Sequence, residues 1–200
     1  MLLVIPVGLV AIASGTGIIR LPLEMFLLSE RLPVIFKFHM VTSAGALMLA
    51  PVVIALRNRP PIHRMLGRLL GAFVVAGGLS ALPVAIFSSS NAIARAGFFA
   101  QGLVWLTLLT AGIHAIRHGN RGRHARLMLA MVAVTSGAVW FRVFTGLAIF
   151  LQLPFEPVYA ASAWLGWIIP LAIVWNVPQI ATAFLVRLPL GPSLPSPSQH

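Results

Sequence analysis

The residues of this chain that could do chemistry are a few histidines and one arginine inside an apolar run. His63, His114 and His124 lie at or near arginine-rich segment ends, and two imidazoles that face each other between helices can ligate a haem iron. The same three rings could bind a divalent metal, but the chain has no cysteine and no carboxylate near them in sequence. The pattern predicts no metal site and leaves open one b-type haem on two of the three.

Arg142 is the most unusual polar residue, because it lies well inside an apolar run. An unpaired charge at that depth in lipid costs several kcal/mol. Thr135, Arg142 and Thr145 share one face of a helix, and this stripe is predicted to point into the interior of a helix bundle. Glu156, or the acidic residues within 20–37, could pair with the guanidinium there. The alternative is a long side chain that reaches the outer headgroups.

Two other histidines have simpler interpretations. His39 opens an apolar run with Ser43 one turn later, which is typical of a hydrated residue at the outer membrane boundary. Thr107, Thr110 and His114 follow the i, i+3, i+7 spacing of one helix face, and such hydroxyls often form hydrogen bonds between membrane helices. The second pattern therefore favours His114 as a packing residue between helices.

Membrane helices are the elements that must position these residues. The chain is 59% hydrophobic and 8% charged, whereas a soluble domain has about a quarter of its residues charged. Its apolar runs of about 20 residues can each cross ~30 Å of hydrocarbon as a helix, and none alternates like a barrel strand. The prediction is an all-α, polytopic transmembrane helix bundle of about six spans. These are Leu2–Ile19, Phe38–Leu56, Leu69–Phe87, Gly97–Ile116, Leu127–Phe150 and Tyr159–Val186.

The basic residues predict the orientation. Residues 57–68 and 117–126 each contain four arginines, and two spans separate these segments, so they lie on the same side. Short arginine-rich loops stay in the cytoplasm. Both termini are then inside, and Glu24, Glu30 and Glu156 are outside. The net charge of +11 is expected to meet anionic lipid headgroups rather than nucleic acid, because it lies between membrane spans.

The remaining segments complete one domain. Residues 1–186 are predicted to form a single transmembrane domain, and the Pro- and Ser-rich residues 187–200 a disordered cytoplasmic tail. Residues 20–37 mix charged and apolar types and are expected along the outer interface as a short amphipathic helix. The first run lacks a basic leading segment, so it is expected to be a retained helix rather than a cleaved signal peptide. The sixth run contains Pro170 and is expected to be kinked.

Several motifs occur in a recognisable order: "KFHMVTSAGALMLAPV" at 37–52, "HRMLGR" at 63–68, "WFRVFTGL" around Arg142, and "AWLGW" with two tryptophans. This order resembles the bacterial membrane proteins of domain of unknown function 2306, over residues 37–175. The matching positions are His39, Gly45, His63, Arg64, Gly67, Arg68, Arg142, Trp164 and Trp167. The sequence departs from the family pattern at Leu69 and at residues 127–130. The resemblance implies a polytopic helical protein of the bacterial inner membrane and supplies no activity.

Two functions remain open from the sequence. The first is a non-enzymatic inner-membrane protein with a structural, regulatory or small transport role. A Ser–His–Asp set is excluded because the chain has no aspartate. The second is a membrane redox protein with one haem b near the cytoplasmic face, on two of His63, His114 and His124. Arg64 and Arg68 are expected in a basic rim that binds lipid phosphate or a ligand, and the oligomeric state stays undetermined.

Overall fold

The structure is a computed structural model that describes residues 3–19 and 23–177, and over these residues all regular structure is helical. The predicted all-α multi-pass bundle is confirmed. The helices are α1 (Val4–Gly15), α2 (Leu23–Arg31), α3 (Pro33–Ala55), α4 (Pro60–Phe87), α5 (Ala92–Arg117), α6 (Arg121–Thr135), α7 (Gly137–Phe150) and α8 (Phe155–Asn176). The predicted tail, residues 187–200, and the end of the sixth predicted span lie outside the described residues.

Five spans in the described part of the chain are long and apolar enough to cross a membrane: α3, α4, α5, α8, and α6 together with α7. The first predicted span is shorter than expected, because α1 has 12 residues and therefore a length of about 18 Å. Gly15 packs against Met40 and Gly8 against Met48, so α1 runs antiparallel to the first half of α3. The prediction of about six membrane spans therefore corresponds, in the described residues, to five full spans and one short helix.

The predicted amphipathic segment is the short helix α2. Leu28 and Ser29 are buried on one side of it, whereas Phe26, Leu27 and Glu30 are exposed. This arrangement suits a helix at the membrane boundary, where one face meets protein and the other meets lipid and headgroups. The following helix, α3, begins directly at Pro33, which fits the first turn because proline needs no amide hydrogen there.

Polar caps fix the other turns of the bundle. The side chain of Asn91 accepts a hydrogen bond from the amide of Ala94 at 2.8 Å and starts α5. Asn120 does the same for α6 with the amide of Arg123 at 2.9 Å. Each cap satisfies a backbone donor that has no partner within its helix. Gly119 supplies the left-handed conformation, φ +75°, that lets α5 end just before this cap.

The core lies between α3, α4, α5, α6 and α8. Val74, Ala130, Met131 and Val134 are almost fully buried in it. Two arginine-containing connections, residues 56–59 and 117–121, lie at the same end of this bundle, because α4 and α5 carry the chain across and back. This end is called the arginine-rich end below, and the end with turns 88–91 and 151–154 is called the opposite end.

The fifth predicted span is formed by α6 and α7 together, with an interruption of one residue between them. Ser136 separates α6 from α7 and lies next to Gly137. The Ser136 hydroxyl donates to the carbonyl of Ala133 at 2.7 Å and so competes with the backbone hydrogen bonds of the helix. A Ser-Gly pair is a common cause of a helix break, and here it divides the span just before Arg142.

Candidate functional site

A cavity of about 250 Å³ lies among the membrane helices in the half of the bundle nearer the opposite end. Helices α2 to α8 supply its walls, and it extends to the α4–α5 turn at residues 88–90. Most of the lining is apolar. The polar side chains in the wall include His39, Ser43, Gln101, Thr135, Arg142 and Tyr159.

His39 projects from α3 towards α4 and joins the two helices. Its Nδ1 donates a hydrogen bond to the carbonyl oxygen of Gly77 at 3.0 Å, because a carbonyl can only accept. The hydroxyls of Ser43 and Ser80 lie 3.3 Å from the same nitrogen. In the neutral ring the other nitrogen, Nε2, therefore carries the lone pair. The sequence predicts His39 to be a hydrated residue at the membrane boundary. In the structure it is instead partly buried, joins two helices and lines the cavity.

Two side chains of α5 fix the end of α6 beside the cavity. The indole of Trp105 donates to the hydroxyl of Thr135 at 2.8 Å, and both residues are buried. The amide of Gln101 donates to the carbonyl of Val134 at 3.1 Å. These hydrogen bonds hold the helix break in place, so they also determine where α7 begins. The carbonyl oxygen of Gln101 keeps its capacity to accept a hydrogen bond.

Arg142 is partly buried on α7 and lines the cavity. Its Nη1 donates to the carbonyl of Ala138, one turn earlier, at 2.7 Å. The predicted carboxylate partner Glu156 is exposed and instead accepts a hydrogen bond from Asn91 at 3.1 Å. Among the side chains that the structure describes, no carboxylate forms an ion pair with this guanidinium. Among the described side chains, the cavity wall therefore carries a cation without a neighbouring anion.

An aromatic cluster forms another part of the wall. Phe98, Phe141 and Tyr159 come from α5, α7 and α8, and their rings meet edge to face with centroids 5.0 to 6.0 Å apart. Edge-to-face contacts of this kind are favourable and rigid. The indole of Trp105 lines the same cavity. The apolar side of the cavity is thus formed by aromatic rings, three of which pack against one another.

Two hydrogen bonds join the α4–α5 turn to the start of α8 where the cavity approaches the opposite end. The hydroxyls of Ser90 and Tyr159 lie 3.3 Å apart, and Asn91 donates to Glu156. Both pairs are separated by more than 60 residues in the sequence. They position the turn beside the cavity and bring Tyr159 into its wall.

The arginine-rich end contains a second arrangement, in which each of two histidines ties a helix to the one before it. His63 donates its Nδ1–H to the carbonyl of Val53 at 3.0 Å, across the α3–α4 turn. His124 does the same with Gly112 at 2.8 Å, across the α5–α6 turn. Each histidine is the fourth residue of its helix. In both pairs of helices, α3–α4 and α5–α6, a histidine of the second helix is therefore hydrogen-bonded to a backbone carbonyl of the first helix.

The face of α5 that carries Thr107, Thr110 and His114 is exposed on the outside of the bundle. The two hydroxyls donate to carbonyls of their own helix, and the His114 ring stacks on His118 with centroids 4.1 Å apart. The expected packing position of His114 between helices is thus not observed. Within residues 3–19 and 23–177, no three His, Asp or Glu side chains gather closely enough to hold a metal ion.

The site residues predicted from the sequence therefore lie in two groups at different ends of the bundle. His39 and Arg142 share the cavity, while His63, Arg64, Arg68 and His124 lie at the arginine-rich end. Further cavity residues that the prediction missed are Gln101, Trp105, Phe98 and Tyr159. Gln101 carries a visible signal, since it places an amide within an otherwise apolar span. The aromatic residues carry no such signal, because aromatic side chains also occur where membrane helices face lipid and headgroups.

Apolar helices that can cross a membrane several times, with a largely apolar cavity between them, define a multi-pass membrane protein. The chain belongs to the family described as "Predicted membrane protein (DUF2306)", whose model matches residues 36–177. The predicted family is confirmed. No curated protein and no solved structure matches the chain. The family description contains no activity, so any function has to be inferred from the cavity itself.

Proposed function

We propose that this membrane protein binds a small organic molecule in the cavity and acts as a binding or transport component rather than as an enzyme. The observation that carries the proposal is the guanidinium of Arg142 in the cavity wall. A charged side chain in the middle of a membrane helix costs about 3 kcal/mol. Charges at such depth commonly mark the path or the site of a ligand, which recovers part of that cost by pairing with them.

The hydrogen bonds of His39 support binding rather than nucleophilic catalysis. A serine nucleophile needs a base whose lone pair faces its hydroxyl. The ring nitrogen beside Ser43 and Ser80 is Nδ1, which carries the proton because it donates to Gly77. The Ser80 hydroxyl in turn donates to the carbonyl of Ala76 at 2.7 Å. Neither serine is therefore activated, whereas Nε2 of His39 can accept a hydrogen bond from a ligand.

The orientation inferred from charge indicates which side of the membrane the cavity faces. The arginine-rich turns belong in the cytoplasm, so the cavity, which lies towards the opposite end, is proposed to take its ligand from outside. For a protein of the bacterial inner membrane, which is the location we propose, that side is the periplasm.

Thiol accessibility tests this proposal, because the chain contains no cysteine. Ala138 lines the cavity on α7, and Ala138→Cys is expected to react with a membrane-impermeant maleimide added from the outside. Small organic acids, amines, alcohols and quinones are then added one at a time, and a molecule that binds is expected to slow the labelling. The matched control is Ala130→Cys, since Ala130 is fully buried in the core on α6 and away from the cavity.

Equal labelling rates at positions 138 and 130 would contradict an accessible cavity. Protection of Ala138→Cys by none of the four compound classes would contradict a binding role. Either result is interpretable provided that both variants elute from size-exclusion chromatography like the parent protein.

A second candidate is the membrane redox protein with one haem b near the arginine-rich end. It is favoured by the histidine geometry there, because His63 and His124 donate their Nδ1–H groups to backbone carbonyls. Metal-ligating histidines are commonly oriented in this way, with Nε2 left for the metal. His114 fits less well, since its ring is exposed and stacked on His118.

An absorption spectrum of the purified protein decides between these candidates. A Soret band near one haem per chain, with α-peaks in the reduced-minus-oxidised difference, would support the redox protein. His63→Ala or His124→Ala should then abolish the band, while His118→Ala should leave it unchanged. A colourless and well-folded preparation would remove this candidate.

The proposed partner of the arginine-rich end is the headgroup layer of anionic lipids. Arg64 and Arg68 are exposed on the first turns of α4, and Arg121 and Arg123 are exposed at the start of α6. All three acidic residues of the sequence lie in other segments, near the opposite end or the start of α2. Uncompensated basic residues at the membrane surface attract acidic phospholipid at about 1 kcal/mol each.

A further inference from the structure

The charge of the cavity wall specifies the kind of molecule that fits it. Arg142 brings a cation to the wall, and the described residues that line the cavity include no aspartate or glutamate. One nitrogen of the guanidinium, Nη1, donates to the carbonyl of Ala138. A guanidinium carries several N–H donors in a planar fork, which matches the two oxygens of a carboxylate. A ligand with one negative charge would therefore neutralise the site.

The other side of the wall favours a flat apolar group. Phe98, Phe141 and Tyr159 hold one another edge to face, and Trp105 is fixed by its hydrogen bond to Thr135. Rigid rings of this kind pack well against another ring, because offset-stacked and edge-to-face pairs are both favourable. These residues come from α5, α7 and α8, so the ring-lined part of the cavity is formed only by the folded bundle.

The volume limits the size of the ligand. An engineered apolar cavity of about 150 Å³ binds a single benzene molecule, and the cavity here measures about 250 Å³. The difference leaves room for a carboxylate and a small ring substituent. A nucleotide, which is several times larger than benzene, would not fit without movement of the helices.

We propose that the cavity binds a small aromatic monocarboxylate, with its carboxylate on Arg142 and its ring among Phe98, Phe141 and Trp105. This inference rests on the proposed function, since it names the ligand class of the same cavity. The Nδ1–H of His39 and one of the two N–H donors of Gln101 are used on Gly77 and Val134, and Nε2 and the amide oxygen remain as acceptors. They accept from a hydroxyl or N–H group on the ring.

Calorimetric titration of the purified protein in lipid nanodiscs tests the inference with defined probes. Benzoate is expected to bind, and benzyl alcohol, which has the same ring and no charge, at least tenfold more weakly. Arg142→Gln should weaken benzoate at least tenfold and leave benzyl alcohol unchanged. Arg142→Lys should restore part of the affinity, because lysine keeps the charge but loses the planar fork.

The matched control is Arg95→Gln. Arg95 lies near the start of α5, towards the same end of the bundle, but outside the cavity lining. This variant removes the same charge and should bind benzoate within about twofold of the parent protein. Equal loss in Arg95→Gln and Arg142→Gln would show a general charge effect and overturn the assignment to Arg142.

The comparison between benzoate and benzyl alcohol needs no variant, so it stands even if Arg142→Gln fails to fold. Equal affinity for the two probes, or tighter binding of benzylamine, overturns the aromatic carboxylate while leaving a binding cavity intact. The proposed function fails separately, when none of the compound classes protects Ala138→Cys from labelling.

Discussion

The side-chain amide of Gln101 donates a 3.1 Å hydrogen bond to the carbonyl oxygen of Val134 and joins the middle of α5 to the last turn of α6. Carbonyls in the last turn of a helix lose their helical partners, and inside a membrane no water replaces them. A side chain of the neighbouring helix fills this role where Ser136 interrupts the fifth span. The break and the cavity wall are thus parts of one local arrangement.

Removal of this hydrogen bond should destabilise the fold. Gln101→Leu keeps a side chain of similar size and removes the donor, and the expected loss is about 1 kcal/mol, as for other hydrogen bonds between membrane helices. Unfolding in a detergent–SDS titration measures the change. Thr107→Val is the control, because Thr107 lies exposed on the same helix and donates to its own helix. An unchanged midpoint for Gln101→Leu would remove the proposed role of this contact.

Two glycines of α7 should respond in opposite ways to alanine. A Cβ added to Gly137 would lie 2.7 Å from Nε2 of Gln101 and 2.8 Å from Cβ of Trp167, so atoms on two helices must move. Overpacking of this kind costs about 1–3 kcal/mol. Gly146 has open space at the same atom, and alanine there should stabilise the helix by up to about 1 kcal/mol. The same titration compares both variants, and equal effects would show that Gly137 is not a close-packed position.

The span pattern could be predicted from the sequence because hydrophobicity and the arginine loops act locally. Four of the predicted runs overlap α3, α4, α5 and all but the first turn of α8, and the two arginine-containing connections lie at one end as expected. The break at Ser136 was missed, although its Ser-Gly pair is a local signal. It lies within a run so apolar that composition alone favours a continuous helix.

The site was harder to predict, because its contacts join residues far apart in the chain. His39 meets Gly77 over 38 residues, and Gln101 meets Val134 over 33. In lipid, the outer face of a helix is as apolar as its packed face, so hydrophobic periodicity does not tell them apart. This explains why His114 was expected between helices and lies on the exposed face.

Binding of anionic lipid should depend on the exposed arginines of α4. Arg64→Gln with Arg68→Gln removes two charges and should reduce the phosphatidylglycerol that copurifies with the protein, measured by mass spectrometry of extracted lipid. Arg31→Gln with Lys37→Gln is the matched control, since both residues are exposed near the opposite end. It removes the same charge and should leave the lipid content unchanged. Equal lipid content in both double variants would rule out the proposed partner.

The membrane orientation can be tested with two variants that each carry one engineered cysteine. Ser89 is exposed in the turn between α4 and α5, and Asn58 is exposed in the turn between α3 and α4. One span, α4, separates these turns, so the two positions must face opposite sides of the membrane. Because short arginine-rich turns are retained in the cytoplasm, Ser89→Cys should react with an impermeant maleimide in intact cells. Asn58→Cys should react after permeabilisation. The reverse pattern would place the arginines outside, and the cavity would then take its ligand from the cytoplasm.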